Sequence, residues 1–275
     1  MTTFGLPSGD TVLAGERRHG DGPPVVLLHA GVADRRAWDG VAESLAALGA
    51  DVVAYDRRGF GETPARSQDF RHLDDLRGVL DATTDGPAWL VGSSQGGLLA
   101  LDLALSQPGR VAGLVLLAPA VSGAPEPEDD DLDAATRRLS DAIDEAYEAG
   151  RIDELNRLEV ELWLDGPAGP EGRVGDPARA LALDMNGIAL RSAVPDDAGA
   201  SDLDAWSRLE EIRVPATLAW GDLDLPIIID RCRELGERLP ELREARVLAG
   251  TAHLPYLEQP RVVAELIRDA VGLRG

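Results

Sequence analysis

The sequence predicts an α/β protein in which helices cover both faces of a mostly parallel, twisted sheet and an inserted group of helices forms a cap. Three observations predict this fold. Short runs rich in Val, Leu and Ala alternate with longer helical patterns along most of the chain. Several of these runs end in glycine or an acidic residue, which is typical of buried parallel strands. The alternation stops between residues 121 and 213, where helical patterns follow one another.

The predicted core spans residues 1–120 and 214–275. It begins with turn residues and partial alternation at 5–18, which indicate an antiparallel edge hairpin. The predicted strands are residues 25–29, 52–55, 88–91, 114–118, 216–220 and 246–248. The predicted core helices are residues 35–48, 69–82, 96–106, 227–239 and 260–271. Because strands and helices alternate, parallel pairing with helices on both faces is expected.

The interruption at residues 121–213 is the predicted helical cap. Two prolines and the acidic run 128–131 indicate an exit loop. Helical patterns follow at residues 132–149, 152–164 and 177–191. We interpret the Gly- and Pro-rich link 165–176 and the segment 195–202 as mobile, because long irregular segments inside compact domains often act as lids.

Composition and charge exclude several classes of protein. With 44% hydrophobic and 28% charged residues, the chain is not a disordered protein, a collagen or a membrane bundle. The net charge of −22 repels nucleic acid and anionic membranes, so neither is an expected partner. The single Cys232 cannot form an internal disulfide, and the four histidines are scattered, so no metal is expected. Neither a signal sequence nor a membrane span is recognisable, and we expect a cytoplasmic monomer or small homo-oligomer.

The most informative motif is Gly92-x-Ser94-x-Gly96, which lies between a predicted strand and a predicted helix. A serine in such a sharp turn needs small residues on either side, because the strand and helix backbones approach each other closely there. Ser94 is therefore the candidate nucleophile. A serine hydroxyl is a weak nucleophile without a base, so a histidine is expected later in the chain.

The expected base is His253, which follows the last predicted strand and precedes the last predicted helix. A carboxylate must hold that histidine in one tautomer and stabilise its protonated form. Two candidates, Asp222 and Asp224, follow the strand predicted at 216–220. The residues alone leave the choice between them open.

Together these motifs resemble the α/β-hydrolase fold superfamily, and in particular its single-domain serine hydrolases with a helical cap, such as esterases and enol-lactonases. In that family the turn before the acid usually has the pattern Gly-x-x-Asp followed by a proline. The segment 221–226 matches this pattern with Asp224 in the place of the acid, which leaves Asp222 as a turn or capping residue. The order Ser94, Asp224, His253 is also the order of the family, and a cap between the serine and the acid accounts for the long first gap.

Two further segments extend the resemblance to nearly the whole chain. His29-Ala30-Gly31 is similar to the family's His-Gly oxyanion loop, with Ala30 in place of the usual glycine. The resemblance implies that the backbone N–H groups of Gly31 and of Gln95 stabilise the oxyanion. We interpret His29 as a structural hydrogen-bonding residue and not as a second base. The segment 55–63 resembles the family's Asp-x-Arg-Gly-x-Gly-x-Ser turn, and we interpret it as scaffold.

The cap is expected to roof the substrate pocket, and its large apolar side chains are the candidates for an acyl site. These side chains are Trp163, Leu164, Met185 and Ile188. Trp163 and Met185 are the predicted pocket residues. No cofactor is expected, because acyl transfer by this route uses side chains, backbone donors and water.

The resemblance implies a serine hydrolase that cleaves a small, neutral or mostly apolar carboxylic ester, lactone or thioester through an acyl-enzyme at Ser94. Dehalogenases and epoxide hydrolases of this fold have an aspartate in the place of this serine, so neither of those activities is expected. Two alternatives stay open. One is hydrolysis of a carbon–carbon bond or a lyase reaction on the same three residues, and the other is a catalytically slow ligand-binding protein that retains them.

Overall fold

The computed structural model describes residues 1–66, 69–125, 132–192 and 199–273 and contains an eight-stranded sheet. The strands are β1 (Thr2–Ser8), β2 (Thr11–Arg18), β3 (Pro24–Leu28), β4 (Asp51–Tyr55), β5 (Ala88–Ser93), β6 (Val111–Leu117), β7 (Ala216–Gly221) and β8 (Leu242–Leu248). Their order across the sheet is β1-β2-β4-β3-β5-β6-β7-β8. β2 pairs antiparallel with β1 and with β4, and all other neighbours are parallel. The predicted mostly parallel sheet with an edge hairpin is therefore confirmed.

The central strands are apolar because both of their faces are covered. β3 lies between β4 and β5, so that Val26 pairs with Val53 on one side and with Leu90 on the other. Leu90 in turn lies opposite Leu114 of β6. A strand that is buried on both faces carries a near-continuous apolar run, because an unpaired polar side chain on either face would be costly. The parallel strands end at one edge of the sheet, and the loops after β3, β5, β7 and β8 meet there.

Helices cover both faces of the sheet, as predicted. The α-helices are α1 (Asp39–Ala47), α2 (His72–Thr83), α3 (Gln95–Ser106), α4 (Ala134–Glu148), α5 (Ile152–Val160), α6 (Ala178–Arg191), α7 (Pro226–Arg238), α8 (Pro255–Glu258) and α9 (Pro260–Val271). On one face α2, α3 and α7 bury Leu76, Leu101 and Leu235 in one apolar cluster. On the other face α1 and α9 bury Leu45 and Ile267 in a second cluster.

The helices α4, α5 and α6 lie between β6 and β7, where the cap is predicted. An apolar cluster joins these helices, with Leu139, Leu155, Leu158 and Leu162 buried in it. The helix predicted at 152–164 ends as an α-helix at Val160 and continues as a wider π turn over Glu161–Asp165. The 3₁₀ turn Ala205–Glu211 does not join this cluster. Its Leu209 packs into the core cluster that α2, α3 and α7 form on one face of the sheet.

The link predicted to be mobile at 165–176 is held by one buried carboxylate. Asp165 accepts hydrogen bonds from the backbone N–H groups of Gly172 at 2.8 Å and of Val174 at 3.0 Å. The same carboxylate pairs with Arg179. These contacts argue against the mobility predicted for this link, because each satisfies a polar group of the loop.

Two predicted features fall beyond the described part of the chain. The acidic run 128–131 lies outside the described residues, and so do residues 195–198 of the segment predicted at 195–202. The domain boundaries before residue 121 and after residue 213 stay predictions. Of the helices in the described ranges, none is both long enough and apolar enough to cross a membrane.

Candidate active site

Ser94 lies in the turn between β5 and α3 in a backbone conformation that side chains rarely adopt, with φ +50° and ψ −118°. The turn requires glycine at both flanking positions. A Cβ atom on Gly92 would lie 2.4 Å from the carbonyl oxygen of Gly96, and a Cβ atom on Gly96 would lie 2.1 Å from the carbonyl oxygen of Leu28. This is the close backbone approach that the motif predicts, and it places Ser94 at the edge of the sheet.

Replacing Gly96 by alanine is expected to lower the free energy of unfolding by at least about 3 kcal/mol, because the new methyl group would overlap a backbone oxygen that cannot rotate away. Gly109 provides the matched control, since a Cβ atom there would meet nothing within 4 Å. Gly109→Ala is expected to change stability by no more than about 0.5 kcal/mol. Urea unfolding followed by circular dichroism measures both values, and equal stability of the two variants would contradict the close approach.

His253 follows β8, and its imidazole is paired with Asp224, which follows β7. Nδ1 of His253 donates to Oδ2 of Asp224 at 2.8 Å, and both side chains are buried. The other carboxylate oxygen accepts the N–H of Leu225 at 2.8 Å. Because a carboxylate can only accept, the proton lies on Nδ1 and leaves Nε2 of His253 as an acceptor.

Asp222 makes a different contact. Its Oδ1 accepts the N–H of Gly250 at 2.6 Å, and the residue is exposed. Of the two acids that follow β7, Asp224 therefore contacts the imidazole while Asp222 closes a surface turn. The contact of Asp224 is the one expected of the acid, and the catalytic roles of Asp224 and His253 stay predictions.

Ser94 and His253 line one cavity of about 630 Å³, whose walls come from both the core and the cap. The apolar part of the wall contains Val32, Leu98, Leu99, Trp163, Ala189 and Leu190. The rings of Trp163 and His253 lie against each other with their centroids 4.7 Å apart. The carbonyl oxygen of Trp163 also accepts the N–H of His253 at 3.2 Å. The cap therefore contacts the histidine directly.

Gly31 and Gln95, the predicted oxyanion donors, line the same cavity. Gly31 follows β3 and Gln95 begins α3, so the two segments meet at the sheet edge. Among the described residues, neither of these backbone N–H groups donates to a protein acceptor. A Cβ atom on Gly31 would lie 2.8 Å from Nε2 of Gln95, so the two residues are closely packed. Two free N–H groups beside a serine are what an oxyanion hole requires.

The two predicted pocket residues have different positions. Trp163 lines the cavity, whereas Met185 does not. Met185 is fully buried in the apolar cluster shared with α1 and α9, and its Sδ accepts the N–H of Asp34 at 3.4 Å. The helix α6 turns Asn186 and Ala189 toward the cavity instead. The assignment of Met185 to the pocket is therefore corrected, because its face of α6 packs onto the core.

The cavity contains polar and aromatic residues that the sequence did not lead us to expect. Arg57 and Phe60 line the cavity, although a scaffold role is predicted from sequence for the segment 55–63 that contains them. His72 and Asn186 contribute further polar side chains to the wall. The position of Arg57 two residues after β4 was the available signal, because the carboxyl ends of parallel strands meet at the edge that carries the serine.

Both ring nitrogens of His29 make hydrogen bonds to the backbone, as expected of a structural residue. Its Nδ1 donates to the carbonyl oxygen of Ala30 at 2.7 Å, and its Nε2 accepts the N–H of Arg57 at 3.1 Å. Burial, followed by the charge of Arg57, lowers the pKa of His29 well below its ordinary value. The imidazole is therefore neutral with both nitrogens occupied, and it is not available as a second base.

His72 is expected to make folding dependent on pH. Burial, followed by the charges of Arg57 and Arg58, lowers the pKa of His72 to about 3. From its ordinary pKa of about 6.5 down to that value, the unfolded chain binds a proton that the folded chain does not, so the free energy of unfolding falls as the pH falls.

The variant His72→Gln removes this proton from both states. When the pH is lowered from 7 to 5, the free energy of unfolding should fall in both proteins, and the fall should be about 2 kcal/mol smaller in the variant than in the unchanged chain. Urea unfolding at the two pH values measures the difference. An identical pH dependence in the two proteins would show that the histidine binds its proton in the folded state as readily as in the unfolded state.

Comparison with known proteins shows what the chain is similar to. A family model described as alpha/beta hydrolase fold matches residues 23–260. A pimeloyl-[acyl-carrier protein] methyl ester esterase of Neisseria meningitidis serogroup B / serotype 15 (strain H44/76) is 32% identical over 91% of this chain and 94% of its own length. A candidate 2-succinyl-6-hydroxy-2,4-cyclohexadiene-1-carboxylate synthase of Bacillus subtilis (strain 168) is 27% identical over 89% of each chain.

Solved structures share the fold. The crystal structure of the enol-lactonase from Burkholderia xenovorans LB400 superposes with a TM-score of 0.74 and 20% sequence identity, covering 98% of this chain and 100% of that chain. With the family match over residues 23–260, these findings show that the chain belongs to the alpha/beta hydrolase fold family.

Proposed function

We propose that this chain is a serine hydrolase that cleaves a small, neutral or mostly apolar carboxylic ester, lactone or thioester through an acyl-enzyme at Ser94. One observation carries the proposal. The buried pair of Asp224 and His253, with 2.8 Å between Oδ2 and Nδ1, borders the same cavity as a serine held at positive φ. An acid, a base and a serine arranged in this way support nucleophilic catalysis.

In the proposed reaction, Nε2 of His253 takes the hydroxyl proton of Ser94 as the serine oxygen attacks the carbonyl carbon. The Nδ1 proton stays on the imidazole, and Asp224 stabilises the imidazolium. The N–H groups of Gly31 and Gln95 donate to the oxyanion of the tetrahedral intermediate. The imidazolium then gives its proton to the leaving alcohol or thiol. Water activated by the same histidine finally releases the carboxylic acid from Ser94.

The proposed substrate class follows from the size and walls of the cavity. A volume of about 630 Å³ suits a small molecule. Apolar walls at Leu98, Trp163 and Leu190 favour an acyl chain, and the net charge of −22 disfavours polyanionic substrates. The relative from Neisseria meningitidis is named as a methyl ester esterase, which supports an ester as the bond cleaved.

Cleavage of a carbon–carbon bond or a lyase reaction on the same three residues is the second candidate. The 27% identity to the candidate synthase of Bacillus subtilis favours it. The two candidates differ in the substrates that they turn over. A panel that compares p-nitrophenyl acetate and butyrate with vinylogous diketones separates them, because turnover of the diketones without turnover of the esters would support the second candidate. Tight binding without any turnover would instead support a ligand-binding protein.

The test of the proposed function is a fluorophosphonate probe, which phosphonylates an activated serine. We expect the intact mass of the protein to rise by one probe adduct, and peptide mapping to place the adduct on Ser94. Hydrolysis of p-nitrophenyl butyrate should disappear in proportion to labelling. An adduct on another residue, or ester hydrolysis that continues in the fully labelled protein, would overturn the proposal.

A further inference from the structure

Arg57 is a buried cation that the proposed reaction does not use. The residue is 2% exposed, and it lines the cavity together with Ser94 and Gln95. In the described part of the chain, no carboxylate pairs with its guanidinium, whose hydrogen bonds go to neutral oxygens. Desolvation of an unpaired charge is costly, so such a group needs a compensating interaction. Burial lowers the pKa of Arg57 to about 10, which still leaves it charged at neutral pH.

The hydrogen bonds of this guanidinium go to the two segments that carry the proposed oxyanion donors. Nη1 donates to Oε1 of Gln95 at 2.9 Å. Nη2 donates to the carbonyl oxygens of Ala30 at 3.1 Å and of His29 at 3.4 Å, the two residues that precede Gly31. One side chain therefore joins the loop after β3 to the start of α3.

The side chain of Gln95 extends this connection to the loop itself. Arg57 donates to Oε1 of Gln95. Nε2 of Gln95 lies close to Gly31, since a Cβ atom on Gly31 would be only 2.8 Å from it. The ring of Phe60 covers the guanidinium, with Cζ of the arginine 4.5 Å from the ring centroid. A charged group that is itself held on several sides thus contacts both segments that carry the backbone donors.

We propose that Arg57 is a positioning residue for the oxyanion hole, and that the transition-state oxyanion is the counter-ion that its guanidinium lacks in the free protein. The inference rests on the proposed function. A fixed charge acts strongly in a cavity from which water is excluded, and it stabilises an oxyanion more than a neutral carbonyl group. The effect of Arg57 is therefore expected on kcat, with little change in KM.

Variants of Arg57 test the charge. Arg57→Met keeps an apolar side chain of similar length, and it should lower kcat for p-nitrophenyl butyrate by about 10- to 100-fold with KM nearly unchanged. Arg57→Lys keeps a cation that can still donate to Gln95, and it should recover a large part of the lost rate. A loss confined to esters that carry a carboxylate, with neutral esters unaffected, would overturn the inference, because Arg57 would then bind the substrate anion.

A pair of variants at Gln95 separates the effect of the charge of Arg57 from the effect of its packing against Gln95. These variants test the inference even if Arg57→Met does not fold. Both variants keep the backbone N–H of residue 95. Gln95→Glu preserves the contact with Arg57 but neutralises its charge, whereas Gln95→Met removes the contact and leaves the charge. We expect the lower kcat in Gln95→Glu. The opposite order would indicate that the contact acts only through packing and would overturn the inference.

Affinity for an alkyl boronic acid gives a readout that a merely structural role would not move. The boronic acid forms an anionic tetrahedral adduct with an activated serine, so its inhibition constant should rise in Arg57→Met in parallel with the loss of kcat. Fluorophosphonate labelling of the unchanged chain keeps the two proposals distinguishable. If Ser94 is not labelled, the proposed function fails. If Ser94 is labelled and Arg57→Met and Gln95→Glu keep kcat within about twofold, this inference fails.

Discussion

Ser94→Ala is expected to lower kcat/KM for p-nitrophenyl butyrate by at least about 10⁴-fold, because no acyl-enzyme can form without the serine oxygen. The fold should persist. The side chain of Ser94 makes no capping hydrogen bond to α3. Its backbone N–H donates to the carbonyl oxygen of Leu117 at 3.1 Å, and alanine retains that donor. The remaining turnover should reflect substrate binding and the oxyanion donors alone.

The neighbouring Ser93 provides the matched control for this variant. Ser93 is fully buried in β5 and has no place in the proposed reaction. Ser93→Ala should leave turnover nearly unchanged and should still accept the fluorophosphonate probe. Steady-state kinetics with p-nitrophenyl acetate and butyrate measure both variants. Turnover by Ser94→Ala at the rate of the unchanged chain would refute the serine mechanism.

The serine turn and the central sheet can be predicted from sequence because their requirements are local. Glycine is needed at positions 92 and 96 because a Cβ atom at either one would lie within 2.4 Å of a backbone oxygen, and a five-residue pattern records that need. The last helix is equally local. Pro260 begins α9, and Gly272 ends it in the left-handed region at φ +79°, so the predicted bounds of 260–271 match the structure.

The lining of the pocket is harder to predict, because apolar side chains serve both packing and binding. Met185 and Leu190 lie on the same helix, yet Met185 packs into the core while Leu190 lines the cavity. Both residues are hydrophobic, so hydrophobicity alone does not distinguish a core residue from a pocket residue. Which face of α6 lies over the core depends on how the cap packs onto the sheet, and that packing is not recorded in the helix's own sequence.

The adjacent residues Arg57 and Arg58 show that the positions of polar side chains are equally hard to predict from sequence. Arg58 pairs with Asp75 at 2.8 Å, as expected of a scaffold residue. Arg57 faces Gln95 instead, 38 residues away in the sequence. Both arginines line the cavity, so their position after β4 places them near the site, but it does not indicate which of them pairs with a carboxylate. The role of Arg57 becomes visible when the loop after β3 and the start of α3 are placed beside it.

Asp224→Asn is expected to lower kcat by about 10⁴-fold through a change of tautomer at His253. One oxygen of Asp224 accepts the N–H of Leu225 at 2.8 Å, and the other faces Nδ1 of the histidine. In asparagine the amide oxygen would keep the backbone bond, and the NH₂ group would then face Nδ1. Nδ1 would have to accept, and the ring proton would move to Nε2, which could no longer take the proton of Ser94.

Asp222→Asn separates this effect from a simple loss of charge, because both substitutions remove one negative charge from the turn after β7. Asp222 is exposed and accepts the N–H of Gly250, a bond that an asparagine oxygen can also accept. The kcat of Asp222→Asn should stay near that of the unchanged chain, and the free energy of unfolding of this variant should change by no more than about 0.5 kcal/mol. The kcat of both variants with p-nitrophenyl butyrate decides the point. Equal losses would mean that the charge of the turn, and not the contact between Asp224 and His253, supports the reaction.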